Sequence, residues 1–393
     1  MIDVRHDGDR ERVRSWATDL EENTMQQALR SARCDAVSGP IALMPDAHWG
    51  MGATVGSVIP TESAIIPAAV GVDIGCGMIA VETDLTAEML PDNLGPVLRE
   101  IRKAIPAGFD RHQEPTKAAW RWLEHNQLHT TVDLTDKQKR SMGTQLGSLG
   151  GGNHFVEVCL DDDGQVWAVL HSGSRGIGNI LAKAHIGTAR HLCRDLERAL
   201  EDRDLAYFLD SDEGFGHYID DMLWAQDYAR QNREQMMDAL LKVLRLTTGR
   251  PVKELRRINC HHNYTERENH DGRDLWITRK GAIRARVGDY GVIPGSMGTS
   301  SFIVEGLGNA ESYTSAAHGA GRRYGRKAAK RTFSVEEFTE AMEGRTWQRS
   351  KAADLLDEAP MAYKDIGQVM ENQADLVRIE RRLEAIVNYK GVS

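Results

Sequence analysis

The sequence predicts an α+β protein, a single mixed domain spanning residues 1–393 in which strands and helices interleave around a central cleft. Three observations predict it. Apolar, β-branched runs of strand length recur from residue 41 to residue 304. Amphipathic stretches of helical period lie between and beyond them. No repeat, low-complexity tract or Gly/Ser/Pro linker divides the chain, so the strands of both halves are expected to share one core.

Taken in order, residues 10–35 carry a helical pattern, with Met25, Ala28, Leu29 and Ala32 on one face. Gly39-Pro40 closes it, and the short apolar run 41–44 reads as a strand. Residues 45–52, PDAHWGMG, read as loop, 53–60 and 64–72 as strands, 71–78 (GVDIGCGM) as loop and 79–82 as strand. The stretch 86–145 mixes charges without clear period and reads as helical or irregular. Strands at 155–158 and 166–170 flank Asp161-Asp162-Asp163-Gly164, a hairpin turn. Long amphipathic helices follow at 178–205 and 219–246. The second has Met222, Ala225, Ala229, Met236, Leu240 and Leu244 on one stripe, which is a core face. The β pattern returns at 276–277, 283–287 and 302–304. Residues 335–393 read as closing helices, the last carrying Leu376, Ile379, Leu383 and Ile386 at helical spacing.

Composition excludes several classes. With 41% hydrophobic and 27% charged residues the chain is an ordinary globular protein with a sizeable core. A net charge of −9 argues against non-specific coating of nucleic acid and leaves room for one local basic cleft. Five cysteines without a CxxC pair argue against a disulfide framework and fit a reducing compartment. The N-terminal stretch MIDVRHDGDRERVRSW is charged, and no run reaches membrane-span length, so a cytoplasmic protein without membrane contact is expected.

The residues able to do chemistry gather beside glycines. His154 lies in GGGNHF, His171 in LHSGSRG, His262 in CHHNY and His318 in AAHGAGR, while Asp73 and Cys76 lie in GVDIGCG. Antiparallel pairing of 155–158 with 166–170 would bring His154 and His171 together. Imidazole, carboxylate and thiolate are the common ligands of transition dications. Spacing alone fits two buried core histidines equally well, and favours Cys76 as an inert thiol. PGSMGTSS at 294–301 offers glycines and hydroxyls for phosphate oxygens without being a Walker loop. Arg322, Arg323, Arg326, Lys327, Lys330 and Arg331 form a basic cluster; on a helix, Arg322, Arg326 and Lys330 would share a face. Such runs are usually solvated, yet beside a Gly-rich loop this one is a candidate for RNA backbone.

The motifs PDAHWGMGATVGSV, GVDIGCGM, LGSLGGGNHFVE, HSGSRGIGN, CHHNY, RKGA, PGSMGTSSFIVEG, HGAGR and AYKDI, in this order from residue 45 onward, resemble the RtcB family of RNA-splicing ligases, and most of all its shorter bacterial members. The resemblance implies a ligase dependent on GTP and manganese. Such an enzyme joins RNA ends carrying a 2′,3′-cyclic phosphate or 3′-phosphate to 5′-hydroxyl ends, in RNA repair or tRNA splicing. It implies two Mn²⁺ per chain, one held by Asp73, Cys76 and His154, the other by Cys76, His171 and His262. His318 would be the nucleophile that takes GMP. Asn153, His154, Phe155, Val156, Glu157, His262, Asn263, Pro294, Gly295, Ser296, Met297, Ser301, His318, Gly319, Ala320, Gly321 and Lys390 would contact the guanylate. Arg175, Arg322 and Arg326 would grip RNA or triphosphate oxygens, and the central cleft would hold metal and nucleotide. No residue pattern names an activating protein or assigns Asp46 and His48 a role. Two other readings use the same residues: a dinuclear cyclic phosphodiesterase that never ligates, and a non-catalytic RNA-binding or rescue partner. A hydrolase has no need of His318, the 294–301 loop and Lys390, and a binding module no need of the full ligand set.

Overall fold

A computed structural model describes residues 1–391. Two antiparallel-rich sheets dominate. A six-stranded sheet runs in the order Asp3–Asp7, Arg10–Ser15, Ile41–His48, Val55–Thr61, Arg273–Lys280, Asn263–His270. A seven-stranded sheet runs Glu254–His261, Gly77–Thr86, Gln165–Ser172, Phe155–Asp161, Val377–Lys390, Ser301–Gly306, Tyr290–Ile293. With helices packed against both, the α+β class holds.

The 36-residue helix Glu213–Thr248 covers the seven-stranded sheet. Its Met236, Met237, Leu240, Val243 and Leu244 pack on Ile79, Val81, Val156, Val158, Leu170 and Val387. Each such side chain withdrawn from water is worth about 1.5–3 kcal/mol. The helix stops at Gly249, whose φ of +65° is the left-handed cap that a side chain would resist. Helix Arg175–Asp195 packs beside it and is shorter than the 178–205 expectation at its C-terminal end. Among the described residues no helix is long and apolar enough to cross a membrane.

Several expectations are corrected. Residues 10–15 are a strand, paired with 3–7, and the helix is confined to Glu22–Ala32. The strand expected at 41–44 continues through Pro45 and Asp46 to His48, where loop was expected. Of 64–72 only Ala64–Ile65 is strand; Pro67 then opens the short helix Pro67–Val70, its missing N–H costing nothing in a first turn. The region 86–145 holds three helices, Gly95–Ala104, Lys117–His125 and Asp136–Gln145. The strands Glu254–His261 and Asn263–His270 went unread because their alternation is polar on both faces.

The largest correction is at the C-terminal end, where Val377–Lys390 is a 14-residue strand seated mid-sheet between Phe155–Asp161 and Ser301–Gly306. Leu383, Ala385 and Val387 alternate into the core, while Ile379 is 47% exposed. Charges at 378–384 mimicked a helix surface, but the β-branched residues and tertiary pairing decide the outcome. Leu383→Ala is expected to cost about 2–5 kcal/mol, while Ile379→Ala stays within about 0.5 kcal/mol. Urea denaturation of both variants checks this, since a helix would make the two losses similar.

Candidate active site

Four adjacent strands of the seven-stranded sheet bring their ends to one place. Cys76 precedes Gly77–Thr86, His154 precedes Phe155–Asp161, His171 sits near the end of Gln165–Ser172, and His262 follows Glu254–His261. The register sets Met78 and Phe155 opposite His171, and Gly77 opposite His261. Antiparallel neighbours run in opposite directions, so two strands begin and two finish at this rim. The loop before Cys76 adds Asp73. The expected pairing of His154 with His171 is therefore observed, and their ring centroids are 5.1 Å apart.

Cys76 Sγ is 3.3 Å from His154 Nε2 and 3.2 Å from His171 Nε2. His171 Nε2 is 2.8 Å from His262 Nε2, and His154 Nε2 is 3.1 Å from Asp73 Oδ2. Two ligand groups result, Asp73–Cys76–His154 and Cys76–His171–His262, each with its ligand atoms within 4.8 Å of one another. Cys76 is common to both. His171 Nδ1 faces the Asn153 carbonyl oxygen at 3.2 Å, which places its proton there and turns the Nε2 lone pair toward the cluster. Burial, then the neighbouring imidazoles, drives His171 and His262 well below their usual pKa, so both are neutral, the ligating form. Burial also pushes the Cys76 thiol well up, and Asp73 adds to this. Only a nearby dication would make that sulfur a thiolate. Burial raises the Asp73 carboxyl as well, but His154 outweighs it and leaves the group below its usual range. The carboxylate is 34% exposed, the one ligand that solvent readily reaches. Carboxylate, imidazole and thiol converging in this way are a donor set that fits transition-metal dications.

Glycines and one helix make room for the cluster. A Cβ at Gly150 would overlap the His154 ring, and one at Gly173 the Asp73 carboxylate. Behind the rim, fully buried Arg233 donates to the Gly75 carbonyl at 2.8 Å and the Ser172 carbonyl at 3.0 Å. Burial lowers its pKa to about 10, leaving it charged at neutral pH. Asn232 beside it accepts from Gly147 N at 2.7 Å and donates to the Gly173 carbonyl at 3.2 Å. Sequence reasoning passed over both residues. The signal was present: position 233 falls between Ala229 and Met236 on the apolar stripe, where an Arg is out of character.

His318 comes from the other side. It follows the strand Ser315–Ala317, and its ring lies 4.7 Å from that of His262. Asp46, fully buried in strand Ile41–His48, brings Oδ2 to 2.6 Å from His318 Nδ1 and accepts from the His318 backbone N–H at 3.2 Å. The side-chain approach is too bent for a hydrogen bond, and His318 Nδ1 has no other partner among the described residues. His48 turns Nδ1 to the Asp46 carbonyl at 2.9 Å, and burial takes its pKa down to about 4.

Beside the ligand cluster and His318 lies a cavity of about 330 Å³. Asn153, Phe155, Glu157, Asn263, Pro294 to Met297, Ser301, Gly319 to Gly321, Arg322, Arg326 and Lys390 all line it, as do Asp73, His171, His262 and His318. Val156 does not; its side chain is packed in the core behind the strand. Arg175 stands behind the Gly-rich loop, donating to Ser148 Oγ at 3.2 Å and the Gly108 carbonyl at 3.1 Å. Helix Arg326–Thr332 begins at Arg326, so Arg322 precedes it and the expected shared helical face is absent. Arg322 and Arg326 instead converge on buried Glu358, and Arg326 also reaches Asp357 at 2.7 Å. Glu358 further accepts from Lys390 at 2.5 Å and Tyr363 at 2.6 Å. Lys280 of the RKGA motif also lines the cavity, donating to the Ala68 carbonyl at 3.1 Å, and burial lowers its pKa to about 8. Glu157 is pushed up to about 7 by burial, which Lys390 and an Asn388 hydrogen bond only partly offset.

A family model described as tRNA-splicing ligase RtcB matches residues 27–391. The chain is 45% identical to the RNA-splicing ligase RtcB of Escherichia coli (strain K12), over 96% of this chain and 97% of that one. It is 30% identical to the RNA-splicing ligase RtcB of Mycobacterium tuberculosis, over 88% and 96%. With the tRNA-splicing ligase RtcB of Nanoarchaeum equitans it shares 28% identity over 96% and 95%.

One consequence of the cavity electrostatics can be measured directly. Burial would raise the Glu358 carboxyl, but Lys390 and Arg326 together hold it at about 2. Removing its charge strands buried Lys390, so Glu358→Gln is expected to lose about 3–5 kcal/mol at neutral pH. A depressed carboxylate stabilises fully above its unfolded pKa and ceases to as pH falls through the folded one. The gap between wild type and Glu358→Gln in urea titrations should therefore close between about pH 4.5 and about 2.

Proposed function

This chain belongs to the RtcB family of tRNA-splicing ligases, and on that premise we propose that it seals RNA through a guanylylated His318. The chain is an RNA ligase of repair or splicing. The finer reading is that one ligase domain spans the chain and works in the cytoplasm with GTP and two Mn²⁺. It joins 2′,3′-cyclic phosphate or 3′-phosphate ends to 5′-hydroxyl ends. The observation that carries it is the position of His318, its ring against His262 at 4.7 Å on the wall of the one cavity that also meets two ligand groups sharing Cys76.

Asp73, Cys76 and His154 would hold one ion and Cys76, His171 and His262 the other. Bound there, dications neutralise phosphate oxygens and stabilise charge developing at phosphorus. Asp46, 2.6 Å from His318 Nδ1, would orient the ring and leave Nε2 as the attacking nitrogen. His318 then takes GMP from the α-phosphate of GTP, and pyrophosphate leaves. A cyclic end is opened by water to a 3′-phosphate. That phosphate attacks the histidine-bound GMP, the P–N bond breaks, and an RNA-(3′)pp(5′)G end forms. The 5′-hydroxyl attacks the RNA phosphate and GMP departs. The 294–301 loop, Asn263 and Gly319 to Gly321 supply donors for the guanylate, and Glu157 and Lys390 supply polar contacts at the far wall.

Incubation with α-labelled GTP and Mn²⁺ is expected to put an acid-labile label on the wild-type protein and none on His318→Ala. Label that survives in His318→Ala removes the nucleophile. A protein that opens cyclic phosphates yet takes no label is a phosphodiesterase, and one that does neither is a binding partner. Cys76→Ala is expected to lose both ions by bound-metal analysis as well as label and sealing. Full Mn²⁺ stoichiometry in that variant would refute the bridging thiolate.

A further inference from the structure

A second cavity, of about 410 Å³, opens on the outer side of the Gly-rich loop that carries His154. His112, Lys117, Arg121 and Lys242 line it, against one carboxylate, Asp238. Arg257 already holds Asp238 at 3.1 Å, whereas Lys117, Arg121 and Lys242 make no ion pair among the described residues. An uncompensated cationic pocket on a chain of net charge −9 runs against the overall sign. Inside it Gln235 accepts from Thr116 Oγ1 at 3.1 Å, but its buried amide nitrogen has no acceptor. That nitrogen is a donor waiting for an oxygen.

Two large exposed aromatic side chains lie close in sequence to its lining residues. Trp120 is 63% exposed and lies next to Arg121 on helix Lys117–His125, three residues from Lys117. Phe109 is 89% exposed, at the turn that leads to His112. Neither ring belongs to a hydrophobic core cluster. Exposed rings interleaved with cations form the surface on which bases stack and phosphates are tracked. The pocket is also joined to the active site through the backbone. His112 Nε2 meets the Gly147 carbonyl at 3.0 Å, and the same loop continues through Ser148, held by Arg175, to His154.

We propose that this cavity binds a single-stranded segment of the RNA substrate as it approaches the ligand cluster. Lys117, Arg121 and Lys242 take backbone phosphates, Gln235 donates to a phosphate or base oxygen, and Trp120 and Phe109 stack bases. The proposal rests on the RNA-ligase reading for its choice of ligand.

The test is fluorescence anisotropy of a short labelled single-stranded RNA ending in a 3′-phosphate. Wild type is compared with Lys117→Ala/Arg121→Ala, with Trp120→Ala and with Arg194→Ala/Arg267→Ala, exposed cations remote from the pocket. Urea midpoints confirm that each variant is folded. The Lys117/Arg121 pair should weaken binding about tenfold or more and make the slope of log K against log salt shallower by about 1.4, at about 0.7 per lost single-strand contact. Trp120→Ala should weaken it about fivefold or more with the slope unchanged. Affinities within about twofold of wild type, or an equal loss from the remote pair, overturn the proposal. Wild-type labelling by GTP is measured in parallel. Its absence would remove the guanylylation reading and leave the affinity comparison to decide this one.

Discussion

The site depends on a guanidinium that never meets water. Arg233 is planted by a long helix beneath the strand ends that carry Cys76 and His171, and it satisfies the carbonyls of Gly75 and Ser172. Gly75 lies in a loop and Ser172 ends its strand, and at such places an unmet buried acceptor would cost about 1–3 kcal/mol. Arg233 therefore does two things at once. It fixes the chain where it leaves the sheet, and its positive charge opposes, without overcoming, the burial and Asp73 that keep the Cys76 sulfur protonated. Asn232 does the same for the loops of Gly147 and Gly173 without the charge.

The second constraint is the meeting of two sheets. His262 stands where the chain leaves the seven-stranded sheet and enters the six-stranded one, since Glu254–His261 and Asn263–His270 belong to different sheets. His318 and Asp46 approach from the six-stranded side, and the Cys76 cluster from the other. The cavity is the seam, which is where concave ligand sites generally form. Strand ends on both sides bring His318 and the ligand cluster to it.

The sequence made the chemistry more legible than the architecture. Glycine-flanked histidines and the Asp73–Cys76 loop stood out because loops that approach ions tightly need bare backbone, and Gly150 and Gly173 bear this out sterically. The hairpin joining His154 to His171 was readable from alternation plus an Asp-rich turn. What escaped was set by tertiary pairing. Residues 377–390 satisfy a helical and a strand pattern alike, and only the vacancy between two other strands selects the latter. Asp46 looked like loop because Pro45 precedes it, although strand register carries it to His318. Glu358 had no local mark at all. Its role emerges only when Lys390, Arg326 and Tyr363 arrive from distant parts of the chain.

The place of Val377–Lys390 in the middle of its sheet has a consequence for the order of synthesis. The strands that flank it are translated long before it, and until it emerges Phe155–Asp161 and Ser301–Gly306 face an open slot between them. Lys390, which neutralises Glu358 and stands over the Phe155 ring, arrives last of all the cavity-lining groups. A nascent chain still on the ribosome thus presents two unpaired edges and an unfinished cavity wall. Such edges invite chaperone protection until the last strand is in place.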